Sequence, residues 1–200
     1  MKQSFMKRVM RRFCGERDGS VMVETVICLP LLVLGLVATW EFYEVHRYKS
    51  AREKATYTIA DMISRETPGI TDTYIDNAMK LFDGITNDDG ANQIRVSVVR
   101  FDAAKNEYYI RWSETRGAGS YTDLTDTDVA TAHSILPILG DGEDLILVES
   151  ESDYKPTFKV GLGSGVTITT RIFTKPRFTG QICFEGSSCY QPPQAAPPST

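Results

Sequence analysis

A carboxylate at the edge of a long apolar run is the most chemically distinctive feature of this sequence. The run extends from Thr25 to Tyr43, and Glu24 stands at its leading end. As a helix rising about 1.5 Å per residue, the run covers about 28 Å, close to the thickness of the hydrocarbon core of a bilayer. A lone carboxylate in lipid costs several kcal/mol. We therefore expect Glu24 either to pair with a cation from another chain or to lie near the headgroups, where water satisfies it.

Gly19 and Ser20 precede that carboxylate, at the junction between a basic head and the apolar run. Cleavage between them by a membrane peptidase would make Ser20 the first residue and Glu24 the fifth. The new α-amino group would carry a positive charge at the membrane surface. A carboxylate in the span of a neighbouring subunit could pair with it and offset the desolvation of both groups. Such a pair would fix the axial offset between parallel helices.

Charge is unevenly distributed along the chain. Residues 1–19 carry six basic and two acidic side chains, whereas the whole chain has a net charge of −4. A basic head, an apolar span and an acidic body follow the positive-inside rule. The pattern predicts a single-pass protein of the inner membrane, with a cytoplasmic N-terminus and a periplasmic C-terminal domain. The acidic body argues against nucleic-acid binding, which needs a basic face.

The apolar run is too long for a secretory signal peptide and ends without a small-residue cleavage site, so we expect it to be retained. Pro30 lies inside it, and since proline removes a backbone hydrogen bond we expect a helix kink there. Near the other end of the chain, Cys183 and Cys189 are separated by a flexible turn. In an oxidising periplasm this spacing favours a disulfide over two free thiols.

Hydrophobic periodicity predicts an α+β fold, in which a long N-terminal helix extends into a small antiparallel sheet of about four strands. The predicted helices cover residues 20–65, about 71–82, and 126–139 ending near Pro137, with Asp126 as the cap of the third. The predicted strands cover residues 93–102, 107–115, 144–154 and 165–173, the first two forming a hairpin.

This arrangement divides the chain into four parts. They are a basic cytoplasmic leader (1–19), a transmembrane helix (20–43), a periplasmic α+β domain (44–190, including the helix extension 44–65) and a disordered tail (191–200).

Other candidate sites are weaker. Glu149 and Glu151 share one face of a predicted strand, where acid–base work is conceivable but a solvated face is the commoner reading. Asp123, Asp126 and Asp128 lack the glycine and terminal glutamate of a calcium-binding loop. His46 and His133 fall on separate predicted helices, and the glycine-rich segment 161–165 lacks the lysine of a phosphate-binding loop. We therefore predict no metal, no cofactor and no enzymatic activity.

The run G-S-V-M-V-E-T-V-I-C-L-P-L-L-V-L, with Pro30 six residues after Glu24, resembles the N-terminal segment of TadE/TadG-like minor pseudopilins of the Flp (tight-adherence, type IVb) pilus. The resemblance covers roughly residues 16–45 and departs from the family at Thr25, where processed members often carry Phe. By this resemblance Gly19 and Ser20 flank a prepilin-peptidase site, and Glu24 is the assembly carboxylate. No D-x-S-x-S metal motif of the larger members is present, so a TadE-like or short TadG-like subunit fits better.

The resemblance implies a minor subunit or assembly factor of a pilus, with the inner membrane, the major Flp pilin, other minor pseudopilins, assembly-platform proteins and a prepilin peptidase as partners. The alternative is an uncleaved single-pass protein whose periplasmic domain binds another envelope or secretion-system component. A third reading, an envelope enzyme, requires Glu149, Glu151 or the Asp123–Asp128 group to converge in a pocket.

Overall fold

The computed structural model describes residues 17–87, 91–130, 132–158, 165–187 and 189, with side chains from residue 21 onward. Most of the predicted leader, the predicted tail and the glycine-rich segment before residue 165 lie outside these residues. The chain divides into two compact units. The anchor unit comprises Met1–Val45 and Pro156–Gly163, and the sheet domain comprises His46–Lys155 and Ser164–Thr200.

Helix α1 spans Arg17–Ser64, 48 residues in all, and agrees closely with the long helix predicted from the sequence. Within the part of the chain described, it is the one helix long and apolar enough to cross a membrane. Its most apolar window has a mean hydropathy of 2.5, and none of that window is buried. A helix that exposes so much apolar surface needs lipid or another protein around it. The described part of the chain therefore carries one candidate membrane span, near the N-terminus.

In the sheet domain, the second half of α1 and helix α2 (Asp72–Thr86) lie on the sheet. Thr71 is the N-cap of α2, because its hydroxyl accepts a hydrogen bond from the backbone N–H of Tyr74 at 3.2 Å. Ala55, Ile59 and Ile63 recur at helical spacing and are fully buried. Because these residues form one apolar face, α1 continues beyond its apolar run and packs on the sheet.

The sheet has four antiparallel strands in the order β2-β1-β3-β4. They are β1 (Asn92–Asp102), β2 (Glu107–Gly117), β3 (Asp144–Tyr154) and β4 (Val166–Thr174). The β1–β2 hairpin turns at Asn106, which adopts a left-handed conformation with φ of 52°. The register between β1 and β2 shifts at Val98/Val99, so that Arg111 is an extra residue in a β-bulge. The predicted α+β class with four strands is confirmed.

The two faces of the sheet bury different clusters. One cluster lies between the sheet and the helices and includes Ile94, Val96 and Val148. The other lies on the opposite face at one end of the sheet, where Leu136 and Leu139 cover it. The central strand β1 is therefore buried on both faces, although its sequence alternates in polarity.

The predicted helix over residues 126–139 is wrong. Helix α3 spans only Asp126–Val129, and a single 3₁₀ turn follows at Ala132–Ser134. Its cap is Thr125 rather than Asp126, with the carboxylate of Asp128 accepting from the Thr125 backbone N–H at 2.8 Å. Proline at 137 disfavours a helix through this stretch, because it offers no N–H and restricts the residue before it. Leu136 and Leu139 still pack against the sheet.

Candidate functional site

Glu24 lies on α1 in the anchor unit, with an exposed side chain. Among the described residues no partner to its carboxylate is present. The neighbouring Thr25 hydroxyl donates to the carbonyl of Val21 at 2.8 Å, so it is bonded within its own helix. Pro30 falls inside α1, where its missing N–H leaves the carbonyl of Val26 without its usual donor. The helix assignment nevertheless continues through Pro30, and the predicted kink stays a prediction.

Gly19 and Ser20 lie in the first turn of α1. The first N–H groups of a helix have no intrahelical acceptor, and terminal turns fray easily. A peptidase that cut between these two residues would first have to unwind this turn. The cleavage itself stays a prediction.

The exposed face of α1 that follows Glu24 contains a shallow apolar groove of about 650 Å³. Gly35 contributes to this groove because it has no side chain, and the space that a Cβ would occupy there is empty to a distance of 4 Å. Thr39 does not present its hydroxyl for association, since it donates to the Gly35 carbonyl at 2.8 Å. The groove is lined by Cys28, Leu31, Leu32, Gly35, Leu36 and Thr39.

A second carboxylate of the anchor unit is satisfied within the unit. Glu41 closes the apolar run and is only 1% exposed. Its carboxylate accepts a hydrogen bond from the backbone N–H of Phe158 at 3.1 Å. The two acids that flank the span therefore differ, because the chain supplies a donor to Glu41 and none of its described residues supplies one to Glu24.

In the sheet domain, the predicted solvated carboxylate face of β3 is wrong. Glu149 is 1% exposed and lies between two arginines. Arg95 on β1 donates to one carboxylate oxygen through Nε at 2.8 Å and also through Nη2. Arg171 on β4 donates to the other oxygen through Nε at 2.7 Å. Both oxygens of this buried carboxylate thus accept charge-assisted hydrogen bonds, so Glu149 links β1, β3 and β4 in an ion-pair network.

The segment from Ala118 to Asp123 covers this ion pair. Arg95 donates through Nη1 to the Thr122 carbonyl at 2.8 Å, and its guanidinium carbon lies 4.4 Å from the centre of the Tyr121 ring. Glu151 accepts from the backbone and hydroxyl of Ser120 at 3.1 and 2.6 Å. Burial, together with the charges of Glu149 and Glu151, raises the pKa of Tyr121. The polar end of this sheet face is therefore closed by protein.

The aspartates of the 123–128 segment are turn and cap residues. Asp126 accepts from the backbone N–H of Ile110 on β2 at 2.7 Å. The hydroxyl and backbone N–H of Thr125 hold the pKa of Asp128 below its usual range. Within the described residues no group of three histidine, cysteine or acidic side chains is placed to hold a metal ion. His133 contacts the Asn106 carbonyl at 3.0 Å, and His46 lies in α1.

Cys183 and Cys189 are joined by a disulfide with a Cα–Cα distance of 5.6 Å. The segment it closes is anchored to the core at several points. Ile70 and Phe184 form a parallel bridge, and Trp112 donates through Nε1 to the Ile182 carbonyl at 2.9 Å. The loop therefore holds the end of the described chain against the sheet and the start of α2.

The interactions around Glu149 were missed from the sequence, although a signal was present. Arg95 and Glu149 lie on the polar sides of two strands that both looked half-buried. Opposite charges at facing positions of neighbouring strands favour pairing, and Arg95 and Glu149 do face each other in the β1–β3 register.

The residues that the structure describes thus form one candidate membrane span and a small α+β sheet domain. Comparisons with protein-family models, with curated proteins and with solved structures find no match to this chain.

Proposed function

We propose that this protein is a non-enzymatic, pilin-like minor subunit or assembly factor of a Flp/Tad-type pilus, held in the inner membrane by α1. The cytoplasmic side holds its N-terminus and the periplasm holds the sheet domain. One observation carries the proposal. Glu24 is an exposed carboxylate at the start of an apolar helix, and no described residue of its own chain pairs with it.

The energetic argument points to another chain. A carboxylate left alone in hydrocarbon costs several kcal/mol, and a cation from a neighbouring helix removes much of that cost. Cleavage after Gly19 would create such a cation at the N-terminus of Ser20. Parallel packing of α1 helices along their exposed apolar faces would then be fixed in register by the pair.

The mature N-terminus tests the processing step. Mass spectrometry of the protein purified from its native membrane should show Ser20 as the first residue. A Gly19→Leu variant should stay uncut, because a side chain at the cleavage position obstructs close approach of the backbone to a protease. An intact Met1 in the unaltered protein would instead support the alternative, an uncleaved single-pass protein whose periplasmic domain binds another envelope component.

The role of the carboxylate is tested by three variants in cells that make the pilus. Glu24→Ala and Glu24→Gln should insert into the membrane at normal levels and lose most pili, because neither retains a charge for the partner cation. Glu24→Asp should keep part of the activity, and Val26→Ala, an exposed neighbour, serves as the control. Normal piliation in Glu24→Ala would contradict the proposed role.

A further inference from the structure

The two edges of the sheet differ in how they are protected. Strand β2 carries the Arg111 bulge, and the Asp126 carboxylate occupies the N–H of Ile110 on that strand. Strand β4, at the other edge, has nine residues, and no backbone–backbone bond from the described residues reaches its outer side. It contains neither lysine nor proline, two of the usual protections of an edge, and its one charged residue, Arg171, is paired with Glu149. With respect to the residues that the structure describes, strand β4 is therefore an open pairing edge.

A groove runs along this edge, between β4 and α1. Its walls include Thr169, Thr170, Arg171 and Ile172, four consecutive residues of β4. Since side chains alternate between the faces of a strand, consecutive residues line one groove only if it follows the strand's backbone edge. The groove measures about 480 Å³. The facing wall is a stripe of α1 made by Lys49, Ser50, Glu53, Lys54 and Tyr57.

A buried polar atom in this groove lacks a partner. Thr170 is 8% exposed, and its hydroxyl oxygen makes no hydrogen bond to any described residue. A buried hydroxyl without a partner is destabilising, because its lost hydration is not replaced. A strand added beside β4 would place main-chain and side-chain donors close to this position.

The charges around the groove indicate what kind of segment fits. Lys54 is exposed and has no acidic partner among the described residues, and the Lys49–Glu53 pair is a long surface contact of 3.8 Å. Together with Arg171, which is already paired with Glu149, the lining carries three basic side chains against one acidic side chain, Glu53. An acidic segment is therefore favoured over a basic one.

We propose that the groove between β4 and α1 is a docking site for an extended, acidic segment of another protein, which adds to the sheet as a fifth strand beside β4. Main-chain hydrogen bonds to the outer edge supply affinity, and Lys49 and Lys54 select acidic side chains. The site does not depend on Glu24 or on cleavage after Gly19. The experiments on it therefore test it independently of the proposed pilin function.

A second copy of this chain fits the groove less well. Its own β4 carries Arg171 and no acidic side chain. Pairing of β4 with β4 of another copy would therefore bring positive charge to a groove whose lining is already basic.

The probe is a synthetic peptide with the sequence Val-Glu-Ser-Glu-Ser-Asp-Tyr, the polar half of β3. Strand β4 already pairs with this acidic sequence on its inner side, where Glu149 faces Arg171. Fluorescence anisotropy measures its binding to the full-length protein in detergent micelles. A version with all three acids changed to lysine should bind at least about threefold more weakly. Absence of binding by the acidic peptide up to millimolar concentration would overturn the proposal.

Two N-methylated peptides distinguish strand addition from simple charge attraction. In an added strand, alternate N–H groups face β4 and the others face away. Methylation of one alternate set should weaken binding on the order of tenfold or more, and methylation of the other set should change it little. Equal binding of both peptides would show that no strand is added.

Variants of the protein locate the site. Lys54→Glu should weaken binding of the acidic peptide about fivefold, whereas Lys80→Glu, an exposed charge reversal on α2, should not. Thr170→Val keeps the side-chain shape and removes the unpartnered hydroxyl, so it should fold normally and bind the peptide more weakly. Equal effects of the two lysine variants, or no effect of either, would place the peptide elsewhere and overturn the proposal.

Discussion

Glu24 and Glu149 are two carboxylates that the same chain treats differently. Glu149 lies on β3 between Arg95 and Arg171, both from neighbouring strands of its own domain. Glu24 lies on an exposed apolar helix, and no described residue offers it a cation. A charge whose partners are encoded in the same domain stabilises a fold. A charge whose partner the described chain does not supply is available for assembly, which is the basis of the proposed function.

The largest expected effect comes from breaking the buried pair. Glu149→Ala should lower the free energy of unfolding by about 3–5 kcal/mol, because it leaves the largely buried guanidinium of Arg95 without its acid. Chemical denaturation of the full-length protein in micelles measures this, with Trp112 fluorescence as the probe in a Trp40→Phe background. Glu151→Ala is the matched control, since that side chain is only half-buried and bonds to Ser120. Equal losses of stability in the two variants would show that the buried Glu149 contributes no more to the fold than the half-buried Glu151.

The next effect concerns the covalent link in the sheet domain. Replacing Cys183 and Cys189 together by serine should lower the free energy of unfolding by about 2 kcal/mol, since the closed loop is short. The same denaturation assay applies, and Cys28→Ser, a free and exposed cysteine of α1, is the control. An unchanged midpoint in the double variant would mean that the Ile70–Phe184 bridge alone holds this segment.

A smaller effect concerns pH. Two hydrogen bonds from Thr125 hold the pKa of Asp128 below its usual range. Because the folded pKa is depressed, the stabilisation is present above the unfolded pKa and is lost as the pH falls through the lower, folded value. Thr125→Val removes the hydroxyl donor and should raise the pKa of Asp128 toward its usual range. An NMR titration of the aspartate carboxyl carbons would show this, and an unmoved pKa would assign the shift to the backbone N–H alone.

The smallest expected effect is the most diagnostic for the comparison. Glu24→Gln should leave the unfolding of the sheet domain unchanged to within about 0.5 kcal/mol, because Glu24 belongs to the anchor unit and its side chain is exposed. The Trp112 assay measures this in the same micelles. A loss comparable to that of Glu149→Ala would show that Glu24 has an intramolecular role and would undermine the proposed assembly carboxylate.

The sequence predicts the elements of this fold well where periodicity is strong. The apolar run predicts a long helix, and the alternation of polarity predicts the four strands. The recurrence of Ala55, Ile59 and Ile63 predicts that α1 has an apolar face outside the run. Prediction fails between residues 118 and 139, where loop geometry rather than periodicity decides. Helix α3 ends after one turn, and Ala118 to Asp123 closes over Glu149 in a way that no local pattern encodes. Burial of Glu149 depends on this long-range cover, so a solvated strand face was the natural expectation.

The unequal edges of the sheet also limit its growth. A sheet that is open on both sides can propagate indefinitely and seed fibres. Here the Arg111 bulge and Asp126 close one side, so a strand received beside β4 cannot be followed by the same exchange on the β2 side. Strand addition to the host sheet itself is therefore confined to the β4 edge.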